Sequence, residues 1–106
     1  MDKKAIVDVV QRFRQKMEAR GIRPFMIILY GSHAEGTGGK GSDIDLVFVS
    51  NDFIGKDFWE RMDILADVIY EIFLPLEVTA LTQGEWEQGE SWVSDLAREG
   101  EVLFAA

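Results

Sequence analysis

Residues 30–50 read YGSHAEGTGGKGSDIDLVFVS. The apolar run FMIILY (25–30) leads into the Gly31-Ser32 step and a loop, and residues 31–41 together hold five of the chain's ten glycines. Asp43 and Asp45 then stand at the head of a second apolar run. Side chains two apart on a strand share a face, with Cα atoms roughly 6.5–7 Å apart. Two bare carboxylates placed so repel each other and raise one pKa. Taken alone, such a pair is either a solvated strand end or a cation site.

A divalent cation would remove the repulsion, and carboxylates are hard oxygen ligands suited to Mg²⁺ or Mn²⁺. A pair with this spacing can hold two ions about 3.5–4 Å apart, the arrangement that serves phosphoryl and nucleotidyl transfer. A further carboxylate should come from a neighbouring strand. Glu77 fits, as the acidic residue inside PLEVTALT (75–82), on the face opposite Leu76 and Val78. The Gly31-Ser32 step, followed by the turn HAEG, would aim backbone N–H groups and a hydroxyl at an anion. Gly31 lets a phosphate approach the backbone, and Ser32 can donate to it. The glycine loop thus folds a phosphate-gripping turn beside a metal-gripping strand.

The remaining pattern supplies the frame. Ile6, Val9, Val10, Phe13 and Met17 predict a helix over 3–20, ended by Gly21 and Pro24, with Arg12, Lys16 and Arg20 as a solvent-facing basic stripe. FMIILY (25–30) and DIDLVFV (43–49) predict strands. In the second, Asp43, Asp45 and Val47 share one face, and Ile44, Leu46 and Phe48 the other. A second helix is expected over 56–73, with Phe58, Met62, Leu65, Ile69 and Ile72 along one side and Trp59, Val68 and Phe73 widening that apolar face, which suits the core or a partner. Residues 75–82 alternate as a third strand. Thr82 and Glu85 have capping-box spacing and open a helical region that Gly89 interrupts. A last helix around 91–99 ends at Gly100, and EVLF closes the chain in extended form. The order α-β-β-α-β-α predicts an α+β domain spanning 1–106, a small mixed sheet flanked by helices.

The totals exclude several classes. With 47% apolar and 28% charged residues the chain is neither disordered nor repetitive in composition. It has no cysteine, hence neither disulfides nor thiolate metal sites, which fits the cytoplasm. No apolar run is long enough to span a bilayer, and the N-terminus lacks a signal-peptide core. A formal charge of −8 argues against direct nucleic-acid binding. The charge is uneven: residues 1–23 carry seven Lys/Arg against three Asp/Glu, leaving −12 on the remainder. That split suits a basic helix against an acidic body, or against a partner.

The combination LYGSHAEGTGGKGSDIDLVF followed by LEVTAL resembles the DNA polymerase β nucleotidyltransferase superfamily, and more narrowly its minimal nucleotidyltransferase (MNT) family. The resemblance covers most of the chain. It implies the polymerase β-like fold and metal-dependent transfer of a nucleoside monophosphate, AMP in particular, from an NTP to a hydroxyl acceptor, with release of pyrophosphate. It also implies a role as antitoxin beside a small helical HEPN-type partner whose tyrosine is modified. Carried onto this chain, Gly31, Ser32 and Ser42 would hold the nucleotide, and Asp43, Asp45 and Glu77 would bind two Mg²⁺ or Mn²⁺ ions and carry the catalysis. His33 and Lys40 are further candidates for phosphate contact. Self-association is open.

Two positions depart from the family pattern. Glu35 stands where many relatives have Arg, and the carboxylate of the third strand is Glu rather than Asp. These substitutions favour a competing reading, an antitoxin of the same fold that neutralises its partner by binding. A third reading is a sensor that binds NTP without transfer. Tyr30 is expected in the core beside the loop. Trp59 and Trp92 are also expected in the core at helical spacing, and Trp86 at an exposed or interfacial place.

Overall fold

The structure, a computed structural model, describes residues 2–36, 43–89 and 92–106. Helix α1 (Lys3–Ala19) starts where the Asp2 side chain accepts from the Ala5 N–H, and buries Ile6, Val9, Val10, Phe13 and Met17. All five are the residues that the helical period singles out. Strand β1 (Met26–Tyr30) follows, then a single helical turn, α2 (Ser32–Glu35), where the sequence predicts only a turn. Strand β2 (Ile44–Val49) runs into a 3₁₀ turn over Asn51–Phe53. Helix α3 (Phe58–Ile72) opens with a capping box between Asp57 and Glu60. Strand β3 (Leu76–Leu81), helices α4 (Gln83–Gln88) and α5 (Trp92–Arg98), and strand β4 (Glu101–Ala105) complete the chain. The capping box expected at Thr82 and Glu85 is formed, and α4 ends at Gly89.

The sheet has the order β3-β2-β1-β4. β1 is antiparallel to β2 and β4, while β2 and β3 are parallel, so the sheet is mixed as expected. The parallel pair is joined by α3, the crossover that such a pair requires. β4 makes the closing EVLF segment a sheet edge beside β1.

Alternation along the strands separates two faces. Ile27, Leu29, Ile44, Leu46, Phe48, Leu76 and Val78 pack with α1 and α3 in the larger core. Phe48 stands at its centre, edge-on to Phe13 and Phe53 at 5.7 and 6.1 Å. Ile28, Tyr30, Val47, Val49 and Leu81 face the other way and meet Val93 and Ala97 of α5. The basic stripe of α1 is not simply solvated: Arg20 and Lys16 pair with Glu71 of α3 at 2.8 and 3.3 Å. Those two cations hold the Glu71 carboxyl below the ordinary carboxylate range. The basic helix therefore lies against part of the acidic body. Among the described residues, no helix is long and apolar enough to cross a membrane.

The aromatic expectations need correction. Trp59 and Trp92 are 73% and 71% exposed, and Phe58 and Phe73 are exposed as well. α3 presents Leu65, Val68 and Ile72 to the core, while its first turns line an open cleft beside β3. Helical spacing identifies an apolar stripe but not what the stripe faces. Trp86 is half-buried, with the Arg98 guanidinium 5.1 Å above its ring.

Candidate active site

The sheet register aligns the site. Tyr30 of β1 is the Cα partner of Asp45 on β2, and Asp45 is the partner of Glu77 on β3. The three residues therefore form a row across three strands, on the face opposite α1 and α3. Neighbouring strands lie about 4.8 Å apart, so the Asp45 and Glu77 side chains, register partners on one face, are immediate neighbours. Asp43, one residue before β2, is exposed and adds its charge to Asp45.

Burial comes first among the causes that raise the Asp45 pKa. The Glu77 charge and a hydrogen bond shared with Glu77 push it further in the same direction, and Asp43 adds to them. His33, buried in α2, acts against these and lowers it. Tyr30 is raised too, by burial and then by the Asp45 and Glu77 charges, against a hydrogen bond with Thr79. The row is an electrostatically crowded strip that attracts protons or cations.

Gly31 lies beneath it with φ 75° and ψ −156°, a backbone state that is essentially restricted to glycine. A Cβ at this position would overlap the Asp45 carboxylate. The glycine is required twice over, by its torsions and by the carboxylate resting on its backbone. Ser32 opens α2 immediately after it.

Two cavities meet at this row. One, of about 530 Å³, is lined by Tyr30, Gly31, Ala34, Asp45 and Glu77 together with α5. The other, of about 700 Å³, runs from Glu77 and Thr79 past Phe58, Met62 and Lys56. Glu77 and Trp92 border both. Glu35 is exposed at the rim of the first cavity, which Asp95 of α5 and Glu99 just after it also line.

The arrangement thus brings together Gly31, Asp45 and Glu77, with His33 and Asp43 in electrostatic range. Lys40 and Ser42 lie outside the described residues. Among the described residues, no three His, Cys, Asp or Glu side chains form a ready-made metal-ligand cluster. The close acidic pair is Asp45–Glu77 across strands. Tyr30 is the residue whose place in the site sequence reasoning missed. It is buried as expected, yet it lines the cavity beside Asp45. The pairing of Tyr30 with Asp45 joins residues on either side of the glycine loop, and local sequence pattern carries no signal for it.

The sequence profile of the family described as "Nucleotidyltransferase domain" matches residues 10–97. No curated protein matches the chain. Among solved structures, a chain of a toxin–antitoxin complex crystallised with AMP-PNP superposes with a TM-score of 0.63 at 17% identity, covering 94% of this chain and 73% of that one. A protein from Sulfolobus solfataricus assigned as a nucleotidyltransferase gives 0.57 at 22% identity, covering 98% and 97%. Another protein so assigned gives 0.58 at 24% identity, covering 94% and 98%. At these identities the likeness concerns the fold.

Proposed function

Because the chain belongs to the nucleotidyltransferase domain family, we propose that it transfers a nucleoside monophosphate from an NTP to a hydroxyl acceptor, as a member of the minimal (MNT) branch. The observation that carries this reading is the Asp45–Glu77 pair, with Asp45 lying over Gly31 and Glu77 bordering both cavities. The donor set fits Mg²⁺ or Mn²⁺: adjacent hard oxygens whose mutual repulsion a cation relieves, completed by phosphate oxygens and water. Asp45 and Glu77 would hold the ions, with Asp43 beside them. Bound there, the ions would neutralise the carboxylates and the triphosphate together.

The chain's own residues then divide the remaining work. Gly31 leaves room for the Asp45 carboxylate against its backbone, and Ser32 offers phosphate oxygens a hydroxyl at the same turn. Glu77, bordering both cavities, accepts the proton of the acceptor hydroxyl as its oxygen bonds to the α-phosphorus. The bond from the α-phosphorus to the bridging oxygen breaks, and pyrophosphate leaves with that electron pair. Catalysis of this kind rests on positioning and charge neutralisation.

The proposed donor is ATP, the transferred group AMP, and the acceptor a tyrosine of a helical HEPN-type toxin, so that the chain acts as an antitoxin. Support comes from the fold shared with a chain of a toxin–antitoxin complex that was crystallised with AMP-PNP. The exposed Trp92 and Leu96 beside the cavity offer a docking rim. A second reading, neutralisation by binding alone, is favoured by one observation. The described lining of the cavity over Gly31 includes Glu35, Asp45, Glu77, Asp95 and Glu99 and no Lys or Arg.

The test incubates the chain and its co-purified partner with Mg²⁺ and NTPs labelled at either the α- or the γ-phosphate. Transfer predicts partner labelling from the α-position only, absent with Asp45→Asn. No label from either position, with Asp45→Asn still capturing and neutralising the partner, would replace transfer by binding.

A further inference from the structure

Strand β3 is a sheet edge, paired among the described residues with β2 alone. The Ile44 N–H donates to the Pro75 carbonyl and the Ser50 N–H to that of Leu81. Backbone groups on a strand alternate sides, so Glu77, Thr79 and Leu81 point to β2, while Leu76, Val78 and Ala80 point outward. Two of the outward groups are already engaged: the Leu76 N–H donates to the Leu74 carbonyl, and the Ala80 carbonyl accepts from Arg61 Nη1. Among the described residues, the Leu76 carbonyl, both groups of Val78 and the Ala80 N–H have no backbone partner on this side.

These remaining groups are self-complementary. In an antiparallel pair of two β3 strands centred on Val78, each Val78 N–H meets the Val78 carbonyl of the second copy. Each Ala80 N–H meets the Leu76 carbonyl of the second copy. The groups that would face each other without bonding are the Leu76 N–H and the Ala80 carbonyl, the two already satisfied. Within the strand itself, Leu76–Leu81 contains no proline, lysine or bulge. β4, the opposite edge, carries a register shift against β1 and an ion pair between Glu101 and Lys3.

Beside the β3 edge runs an apolar groove of about 420 Å³, lined by Met62, Ala66, Ile69 and Tyr70 of α3 with Leu76 and Val78. Met62, Ala66, Ile69 and Tyr70 follow helical spacing as a stripe along α3, and Met62 is 39% and Tyr70 79% exposed. A two-fold about Val78 would bring the stripes of two copies alongside one another and join the sheets into one. Closed two-fold pairing of a surface with itself is the common route to homodimers.

We infer that the chain forms a two-fold homodimer through β3, centred on Val78, with the α3 stripe covering the same seam. This inference concerns assembly and stands apart from the chemistry proposed above. It does set Glu77 opposite Thr79 of the second copy, at the border of the site. The test measures mass by sedimentation over a wide range of concentration and hydrogen exchange at the amides of Val78 and Ala80. The expected result is twice 12.0 kDa, with both amides protected at high concentration and exposed on dilution. Val78→Pro, which removes an outward N–H that an edge strand can spare, and Ala66→Arg, at an exposed helical position, should each give a folded single chain. Ala66→Arg decides the matter if Val78→Pro fails to fold. A wild-type mass of 12.0 kDa throughout, unprotected amides at 78 and 80, or a dimer indifferent to Ala66→Arg would each overturn the inference.

Discussion

Asp45 and Glu77 are register partners on adjacent parallel strands, and the burial of Asp45 together with the Glu77 charge holds the Asp45 carboxyl above its ordinary range. The folded chain therefore binds the Asp45 proton more tightly than the unfolded chain does. Ionising Asp45 works against the fold, and stability falls as pH rises from about 3.9, the unfolded value, through the raised folded one. Asp45→Asn, which can still donate to Glu77, should melt above wild type in chelator at neutral pH. The gap should close as the pH is lowered below about 4, and circular dichroism melts across that range would check it.

Divalent cation should reverse this order. Mg²⁺ or Mn²⁺ bound to the native site stabilises by about 2.7 kcal/mol at a free concentration of about 100 Kd. Wild type should gain melting temperature with added ion, and Asp45→Asn should gain little. Because the ion displaces the Asp45 proton, its affinity should rise with pH through the raised Asp45 value. A titration at several pH values reads this directly.

Gly31→Ala should weaken both the fold and the site. The backbone at φ 75° and ψ −156° costs a side-chain-bearing residue on the order of 1–3 kcal/mol, and the new Cβ must displace the Asp45 carboxylate. Chemical denaturation should show that loss, and ion binding should weaken more than in a variant on the opposite edge such as Val102→Ala.

Phe48→Ala tests the frame rather than the site. Phe48 is fully buried between Phe13 and Phe53, and truncating such a ring typically costs about 3–5 kcal/mol. For a domain of this size, that should lower the melting temperature by well over 10 °C (about 4–8 °C per kcal/mol). A loss below about 1 kcal/mol would place the core elsewhere.

Much of this arrangement was legible in the sequence because two periodicities are undisturbed. The buried face of α1 follows from Ile6, Val9, Val10, Phe13 and Met17, and the two strand faces follow from the alternation through Asp45 and Glu77. Glu77 could be singled out because its strand turns it from Leu76 and Val78. What local pattern does not carry is what an apolar stripe meets. Trp59, Phe58 and Trp92 lie on apolar helical stripes, yet α3 and α5 turn those side chains towards solvent and the clefts. The role of Tyr30 depends on a pairing across the loop, a non-local fact. The approach of Asp45 to Gly31 is of the same kind: glycine marks the place, and only the fold shows which side chain needs the room.

A Mn²⁺ titration with a non-hydrolysable NTP, followed by paramagnetic broadening of backbone amide signals, decides whether metal and nucleotide bind at this strand row. Early, selective broadening is expected at Gly31, Asp45 and Glu77, strengthened by the nucleotide and abolished in Asp45→Asn. Broadening centred elsewhere, or unchanged in a folded Asp45→Asn, would contradict a metal–nucleotide site on this strand row.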